Sequence, residues 1–374
     1  MADSYAVFIS NCTLLSNARI RQAVEGARVQ FFAEDEGHTE HANWIRFDIR
    51  WPDGTVKVDR PDIRRPDFAE QLQQQCAFVR EAGSGQMDPR RALLEEKILR
   101  SHSILRMSGP PECVERMETF ARTIAAESNA LLLFDDALWD PKGKLCLDKD
   151  GESDPGSGWA VFPSALARKA RSEERLRSNL VPVLDSLPPI ESEEESLLRP
   201  PWEVARRASA LVTVAARAEG LEQQRAMQFL QAWGLWDAAS VREQAFLLNP
   251  QPAETDRVQF LWKYECLWVM LWALGHVEAL GMPTSICDVR RAVKTVTGTT
   301  TDIFIGRSEL RPLNEILDEA DLIYRCHWAL KEAYQRGEQP PAGLDRGVVI
   351  ERHIALNWLR THHSQSWDNV TPDV

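Results

Sequence analysis

The pattern of apolar residues changes along this chain of 374 residues, and that change constrains the fold most. In the first 150 residues apolar and polar positions alternate, as at Ile45, Phe47 and Ile49, which is the period of a half-buried strand. From Pro200 onward apolar residues recur every three or four positions, the period of a helix. The sequence therefore predicts an α+β protein, with a mixed α/β domain before an all-α helical bundle.

The first domain, residues 1–150, is expected to contain a small, mainly antiparallel sheet. Short strand-like runs occur at Tyr5–Ser10 and Val29–Ala33. The turn sequence PDG at Pro52–Gly54 separates two alternating segments, which is typical of a β-hairpin. Helical segments are predicted at Phe68–Glu81 and Glu112–Ser128, between further strands.

Residues 151–199 are expected to form a linker and a lead-in helix, and residues 200–374 the helical domain. The polar segment DKDGESDPGSG and the acid-rich segment PPIESEEES (Pro188–Ser196) both have the composition of solvated loops. Nine of the 13 tryptophans lie between Pro200 and the end, so the bundle has bulky aromatic residues for its core. His362 and His363 follow the last predicted helix and are expected to be exposed.

The bulk properties exclude several classes of protein. A net charge of −12 without a long basic run argues against a nucleic-acid partner held by phosphate contacts. The most apolar stretch, Leu267–Leu274, is too short to cross a membrane. Seven cysteines without a CxxC pair indicate reduced thiols and a cytoplasmic location. No cofactor-binding motif occurs, and the HTEH pair, His38 and His41, lies in a hydrophilic loop that does not indicate a metal site.

The predicted helix from Pro312 to Arg336 has two distinct faces. His327 belongs to its apolar stripe, whereas Asp318, Asp321 and Arg325 fall on the opposite face. That polar face is either an exposed set of ion pairs or a contact with another helix. His327 leaves the helix on a different side from the aspartates, so these residues are not expected to share a metal.

The predicted helix Gly347–Arg360 is apolar around almost its whole circumference, as a buried helix is. Its polar residues therefore need partners, because a buried polar group without one costs about 1–3 kcal/mol. We expect Asp318, Asp321 and Arg325 to supply them. The polar residues concerned are Glu351, Arg352, His353 and Asn357.

A third predicted helix, Val258–Gly275, places Glu265 on one face with Trp268 and Trp272. A carboxylate among tryptophans needs a cation, and the candidates are Arg325, Arg352 and one of Arg206 or Arg207. One interpretation is a buried ion pair that stabilises the bundle. The other is a polar pocket walled by tryptophan, which suits a sugar, a base or a cation.

Two hypotheses for the function follow, and no catalytic residue is assigned. The first is a non-enzymatic binding protein for an unknown protein or small molecule, with binding residues Trp268, Trp272, Asp318, Asp321, Arg325, Arg352 and Asn357. The alternative is a hydrolase-like enzyme at the same helices. Its acid or base would be Glu265 or Glu351, its proton partner His353 or His327, and its anion clamp Arg325 or Arg352.

From about Arg168 to Val374 the chain contains six sequence blocks in a specific order and spacing. They are RKARSEERLRSN, RPPWEVARRASAL, WKYECLWVMLWALG, ILDEADLIYRCHWAL, VVIERHIALNWL and WDNVTPDV. In these blocks the second half of the chain resembles the bacterial domain-of-unknown-function family 4272. The resemblance implies a soluble, mostly helical bacterial domain and implies no reaction.

Overall fold

The computed structural model describes residues 4–9, 16–24, 26–33, 44–60, 66–83 and 88–374. The chain divides into two compact units, Met1–Phe162 with Glu194–Leu197, and Pro163–Glu193 with Leu198–Val374. We call them unit 1 and unit 2. The HTEH segment, Ser10 and Cys12 lie outside the described residues.

The described part of unit 1 contains one eight-stranded sheet, and every strand pair in it is antiparallel. The strand order is β2-β3-β4-β5-β1-β6-β7-β8. The strands are β1 Ser4–Ile9, β2 Arg28–Ala33, β3 Trp44–Trp51, β4 Gly54–Asp59, β5 Ser103–Ser108, β6 Leu131–Phe134, β7 Ala137–Trp139 and β8 Leu145–Asp148. The helices are α1 Asn17–Gln22, α2 Pro66–Glu81, α3 Pro89–Leu99 and α4 Val114–Ser128.

The alternation of apolar residues gives the sheet a core on each face. On one face, Phe47 and Ile49 of β3 pack with residues of α1 and α4. On the other face, Phe8 of β1 and Leu138 of β7 pack with α2 and α3. The prediction of an antiparallel sheet with helices is confirmed.

The sequence interpretation missed strand β7 and helices α1 and α3. Strand β7 has three residues and follows β6 through Asp135 and Asp136, which both have positive φ, at 54° and 53°. Two successive left-handed residues form the tight turn that suits a β-hairpin. The Asp-Asp pair lacks the glycine that usually signals such a turn, so the pattern gave no warning of it.

In unit 2 the described elements are helices, which confirms the predicted all-α region. They include α5 Pro163–Ser178, α6 Pro201–Glu219, α7 Gln223–Ala232, α8 Val241–Leu248 and α9 Glu254–Leu261. They continue with α10 Lys263–Ala273, α11 Val289–Thr297, α12 Thr301–Gly306, α13 Leu313–Gln335 and α14 Arg346–Leu359.

The single helix predicted over Val258–Gly275 is two helices in the structure, with a break at Trp262. The Glu265 amide bonds the Trp262 carbonyl, a spacing of three residues that tightens the chain at this point. The Trp262 indole lies against Gly347 in the first turn of α14. At the break, the Trp262 ring therefore fills the space beside Gly347, which has no side chain.

The expectation that His362 and His363 are exposed is wrong. Each is only 8% exposed, and their rings stack on one another with centroids 3.6 Å apart. The chain turns sharply after α14, because Thr361 has a φ of 50°. That turn folds both imidazoles back from solvent.

Six of the seven cysteines are described, and all six are buried and free. Among the described residues, no helix combines the length and the apolar character that crossing a membrane requires.

We predict that Gly347→Ala lowers the free energy of unfolding by about 1–3 kcal/mol. Alanine normally stabilises a helix relative to glycine, but a Cβ at this position would lie 2.6 Å from Cζ2 of Trp262 and overlap the ring. Urea unfolding followed by tryptophan fluorescence measures the change.

The matched control for this change is Gly306→Ala, at the end of α12. A Cβ there meets nothing within 4 Å, so we expect unchanged or slightly higher stability. Equal effects at Gly347 and Gly306 would contradict the packing of Trp262.

Candidate functional site

Glu265 of α10 and Arg352 of α14 form a buried ion pair, with Arg352 Nε 3.4 Å from Glu265 Oε2. The Arg352 guanidinium also donates to the carbonyls of Leu280 and Gly281, at 3.0 and 3.1 Å. Glu265 accepts the Cys287 amide. Arg352 was one of the cations proposed for Glu265, and it joins three segments of unit 2.

Glu351 of α14 pairs with Lys263 of α10, at 2.6 Å between Nζ and Oε2. The Cys266 thiol also donates to Glu351, at 3.0 Å. Burial, and then the neighbouring Glu351 carboxylate, raise the pKa of the Cys266 thiol well above its usual value. Cys266 is therefore a protonated packing residue and not a nucleophile.

Asp321 and Arg325 of α13 form a fully buried pair, with distances of 2.8 and 3.0 Å. Arg325 also donates to the Pro188 carbonyl at 3.2 Å, and the Ile190 amide donates to Asp321 at 3.4 Å. This face of α13 contacts the segment before residue 191, not the polar residues of α14. The expectation that Asp321 and Arg325 serve those residues is wrong.

Asp318 of α13 bonds Arg171 of α5 at 2.6 Å and lies 3.3 Å from Arg168. It is therefore bound by the lead-in helix and not by α14. The reason is topological, because α13 packs against both α5 and α14, and Asp318 lies on the side that contacts α5.

The prediction that the acidic segment Pro188–Ser196 is solvated is wrong in the structure. Glu191 is only 4% exposed and forms an ion pair with Arg360 at the end of α14. Arg360 in turn donates to the Asn357 side chain at 2.9 Å, and Asn357 donates to the Thr371 carbonyl at 2.9 Å. A charge run without helical period gave no sign that one of its acids has a buried partner.

The indoles of Trp268 and Trp272 are 8% and 4% exposed, and an arginine covers each of them. The guanidinium of Arg291 lies 5.9 Å from the Trp268 centroid, and that of Arg311 lies 5.4 Å from the Trp272 centroid. Cation–π contacts of this kind occupy the ring faces that a sugar, a base or a cation would need.

The candidate arginines that do not contact Glu265 have other partners. Arg207 of α6 forms a buried ion pair with Glu243 of α8, and Arg206 bonds Asp237 at 2.6 Å. Spacing along one helix does not determine which neighbouring helix a long side chain reaches.

The two remaining predicted residues, His327 and His353, are in direct contact. Their Nδ1 atoms are 3.1 Å apart, and their rings are nearly perpendicular. Burial lowers the pKa of His353 well below its ordinary value, and the neighbouring His327 and Arg360 lower it further. Both imidazoles are therefore neutral near pH 7, and one Nδ1–H donates to the other Nδ1.

His327 borders a cavity of about 490 Å³. Leu330, Ala333 and Tyr334 of the same helix line it together with Pro340. Tyr334 is 73% exposed, so the cavity is open to solvent. Its volume is in the range of small-molecule sites.

Charged side chains surround the mouth of this cavity. Lys331 of α13 and Arg346 of α14 are both exposed. Burial is the main cause that lowers the pKa of His327, and these two cations lower it further. Asp373 opposes this shift from the tail after α14. Sequence reasoning placed His327 on an apolar stripe but missed the two cations. Lys331 is four residues after His327 and therefore lies on the same side of the helix.

We predict that Arg352→Ala lowers the free energy of unfolding by about 3–5 kcal/mol, because it leaves the buried Glu265 carboxylate without its cation. The control is Arg336→Ala, which removes an exposed pair with Glu332 and should cost less than about 1 kcal/mol. Chemical unfolding of both variants measures the difference. Similar losses in the two variants would show that burial of the Glu265 pair is not what matters.

We also predict that acidification destabilises the fold through the histidine pair. The folded pKa values are lowered, so the unfolded chain binds more protons below about pH 6.5 and stability falls as the pH falls. Each neutral histidine contributes a slope of at most about 1.4 kcal/mol per pH unit. Urea unfolding between about pH 7.5 and about pH 5.5 should give a smaller slope for His353→Gln than for the natural chain, and equal slopes would refute the assignment.

The comparisons with known proteins concern the segment that contains this site. Residues 168–370 match the model of the domain of unknown function DUF4272. No curated protein and no solved structure matches the chain. The matched segment covers more than half of the chain and includes the ion pairs, the histidine pair and helices α6–α14. The chain therefore belongs to the DUF4272 family.

Proposed function

We propose that this protein is a binding protein and that its ligand enters the cavity beside His327. One observation carries the proposal. The predicted acid–base residues Glu265 and Glu351 are each closed in an ion pair, whereas the open cavity of about 490 Å³ has none of them in its lining. A carboxylate that is buried and paired with a cation is poorly placed to exchange protons with a substrate.

The lining of the cavity suggests the class of ligand. Leu330, Ala333 and Tyr334 offer an apolar surface. Lys331 and Arg346 offer positive charge at the mouth, beside the acids Glu338 and Asp373. Lys331 already contacts an acceptor, the Val374 main-chain oxygen. A small molecule with an apolar body and a carboxylate suits this arrangement, since a few polar groups around apolar walls are typical of ligand sites.

One observation favours an enzyme as the second candidate. His327 is a neutral imidazole at the wall of a cavity, and a neutral imidazole is a general base. Its Nδ1 is held by His353, which would fix the orientation of the ring. In this version of the alternative, hydrolysis would depend on His327 and not on Glu265 or Glu351.

A cytoplasmic location is part of the proposal. The six described cysteines are free, and free thiols persist in the reducing environment of the cytoplasm.

Benzoate and its neutral analogue benzamide test the binding proposal. We expect saturable binding of benzoate to the full chain by isothermal titration calorimetry or NMR, and weaker binding of benzamide. The double variant Lys331→Ala/Arg346→Ala should bind benzoate about tenfold more weakly, because it loses charge-assisted contacts.

The matched control is Arg290→Ala/Lys294→Ala, which removes the same charge from the exposed side of α11 and should leave binding unchanged. Equal weakening in both double variants, or no saturable binding of benzoate, would refute the proposal. Turnover of an ester or amide panel that disappears in His327→Gln would favour the enzyme instead.

A further inference from the structure

One half of the sheet in unit 1 carries apolar residues on one face and polar residues on the other. In β3, Phe47 and Ile49 are fully buried against α1 and α4. Residues between and beside them point to the opposite face, because side chains alternate along a strand. On this opposite face β2, β3 and β4 carry a polar surface, whose members are Arg28, Gln30, Phe32, Arg46, Asp48, Arg50, Thr55, Lys57 and Asp59.

Four cations on this surface form a diagonal row across four strands. Arg28 of β2 lies directly opposite Arg50 of β3. Arg50 pairs with Thr55, so Lys57 of β4 is the next diagonal position. Lys57 and Arg106 are related in the same way, because β5 pairs Ser108 with Lys57 and Arg106 with Asp59. We call Arg28, Arg50, Lys57 and Arg106 the basic diagonal.

The basic diagonal is exposed, and none of its four cations forms an ion pair with a carboxylate in the described part of the chain. Arg50 donates to Gln30 at 2.9 Å, and Arg106 donates to Gln71 of α2 at 2.8 Å, so both contact neutral amides. Within the described residues, no carboxylate lies within ion-pair distance of these four cations. All four side chains are exposed to solvent.

The placement of Arg28 and Arg50 costs stability, whereas Lys57 lies opposite Asp48 and Arg106 lies opposite Asp59. Like charges directly opposite one another in an antiparallel pair are unfavourable, and Arg28 and Arg50 are such a pair. The whole chain has a net charge of −12, so this row is a local departure from its acidic character. Charge that opposes stability on an open face is typical of a surface that binds a partner.

The two acids on the same face lie to one side of the row. Asp48 is buried and held by Arg46 through two hydrogen bonds of 3.0 and 3.2 Å. Asp59 lies opposite both Arg46 and Arg106. The remaining excess of positive charge follows the diagonal.

We propose that the basic diagonal binds an extended acidic segment of a partner protein, with a carboxylate at every second residue. Diagonal neighbours in a sheet are about 7–8 Å apart and direct neighbours about 5 Å apart. In an extended peptide, every second side chain lies on the same side at intervals of about 6.8 Å. An alternating acidic strand therefore places its carboxylates close to the spacing of Arg50, Lys57 and Arg106, and Arg28 lies beside the first of them.

The composition of the surface favours a peptide over a single-stranded nucleic acid. Nucleic-acid platforms combine positive charge with several aromatic rings on which bases stack. Among the nine residues named for this surface Phe32 is the one aromatic, and the Arg46 guanidinium covers it at 4.9 Å from the ring centroid.

The test uses the full chain and fluorescein-labelled synthetic peptides, with fluorescence anisotropy at low and high salt. The first peptide has glutamate at every second position, and the second has the same composition with glutamate at every third position. We expect the alternating peptide to bind more tightly, and its affinity to fall as salt screens the charges. A third peptide with glutamine for glutamate should not bind.

Variants of the chain identify the surface. We expect Arg50→Gln/Lys57→Gln to weaken binding of the alternating peptide about five- to thirtyfold, the effect of losing two exposed ion pairs. The control Arg19→Gln changes an exposed arginine of α1, which covers the opposite face of the sheet, and should leave binding unchanged. The midpoint of urea unfolding should be unchanged or higher in Arg50→Gln, because a like-charge contact is removed.

Three results would overturn the proposal. They are equal affinity for the two glutamate peptides, equal affinity of the Arg50→Gln/Lys57→Gln and Arg19→Gln variants, and tighter binding of a single-stranded oligonucleotide than of the alternating peptide. None of these results bears on the cavity beside His327, which is in unit 2 and is tested with benzoate.

Discussion

All eleven residues of helix α10 are buried, and much of unit 2 follows from that constraint. A helix inside a bundle must contact neighbours on every side, and α10 contacts α6, α9, α11 and α14. Its sequence nevertheless contains a lysine and a glutamate. Because α14 is nearly as buried, each of these charges has a partner there, in Glu351 and Arg352. Burying a charge is costly, so these pairs specify how α10 and α14 align.

The helical period in the sequence was sufficient to predict buried helices and to include the partner of Glu265 among several candidates. A buried Glu265 carboxylate needs a cation as its partner. Few arginines lie on the predicted neighbouring helices, and Arg352 is one of them. The partners of Asp321 and Arg325 were not predictable in the same way. Their partners are main-chain groups in a segment whose apolar residues show no helical or strand periodicity. A local sequence pattern does not indicate which irregular segment covers a given face of a helix.

The structure separates the charged residues into two kinds. The buried charges of α10, α13 and α14 are enclosed and paired. Those around His327 and along the sheet of unit 1 are exposed and only partly paired. The sequence highlighted the first kind, because charge is conspicuous in an apolar helix. Exposed cations such as Lys331 and Arg50 resemble ordinary surface residues until a cavity or a strand register places them together.

The contact between Trp262 and Gly347 also links two positions that are 85 residues apart in sequence. The indole occupies the space where a side chain at position 347 would be. The size of the side chain that fits at one position therefore depends on the size of the side chain at the other. Across members of the DUF4272 family, a larger residue at the position of Gly347 should occur together with a smaller one at the position of Trp262, so that the two sites vary as a pair.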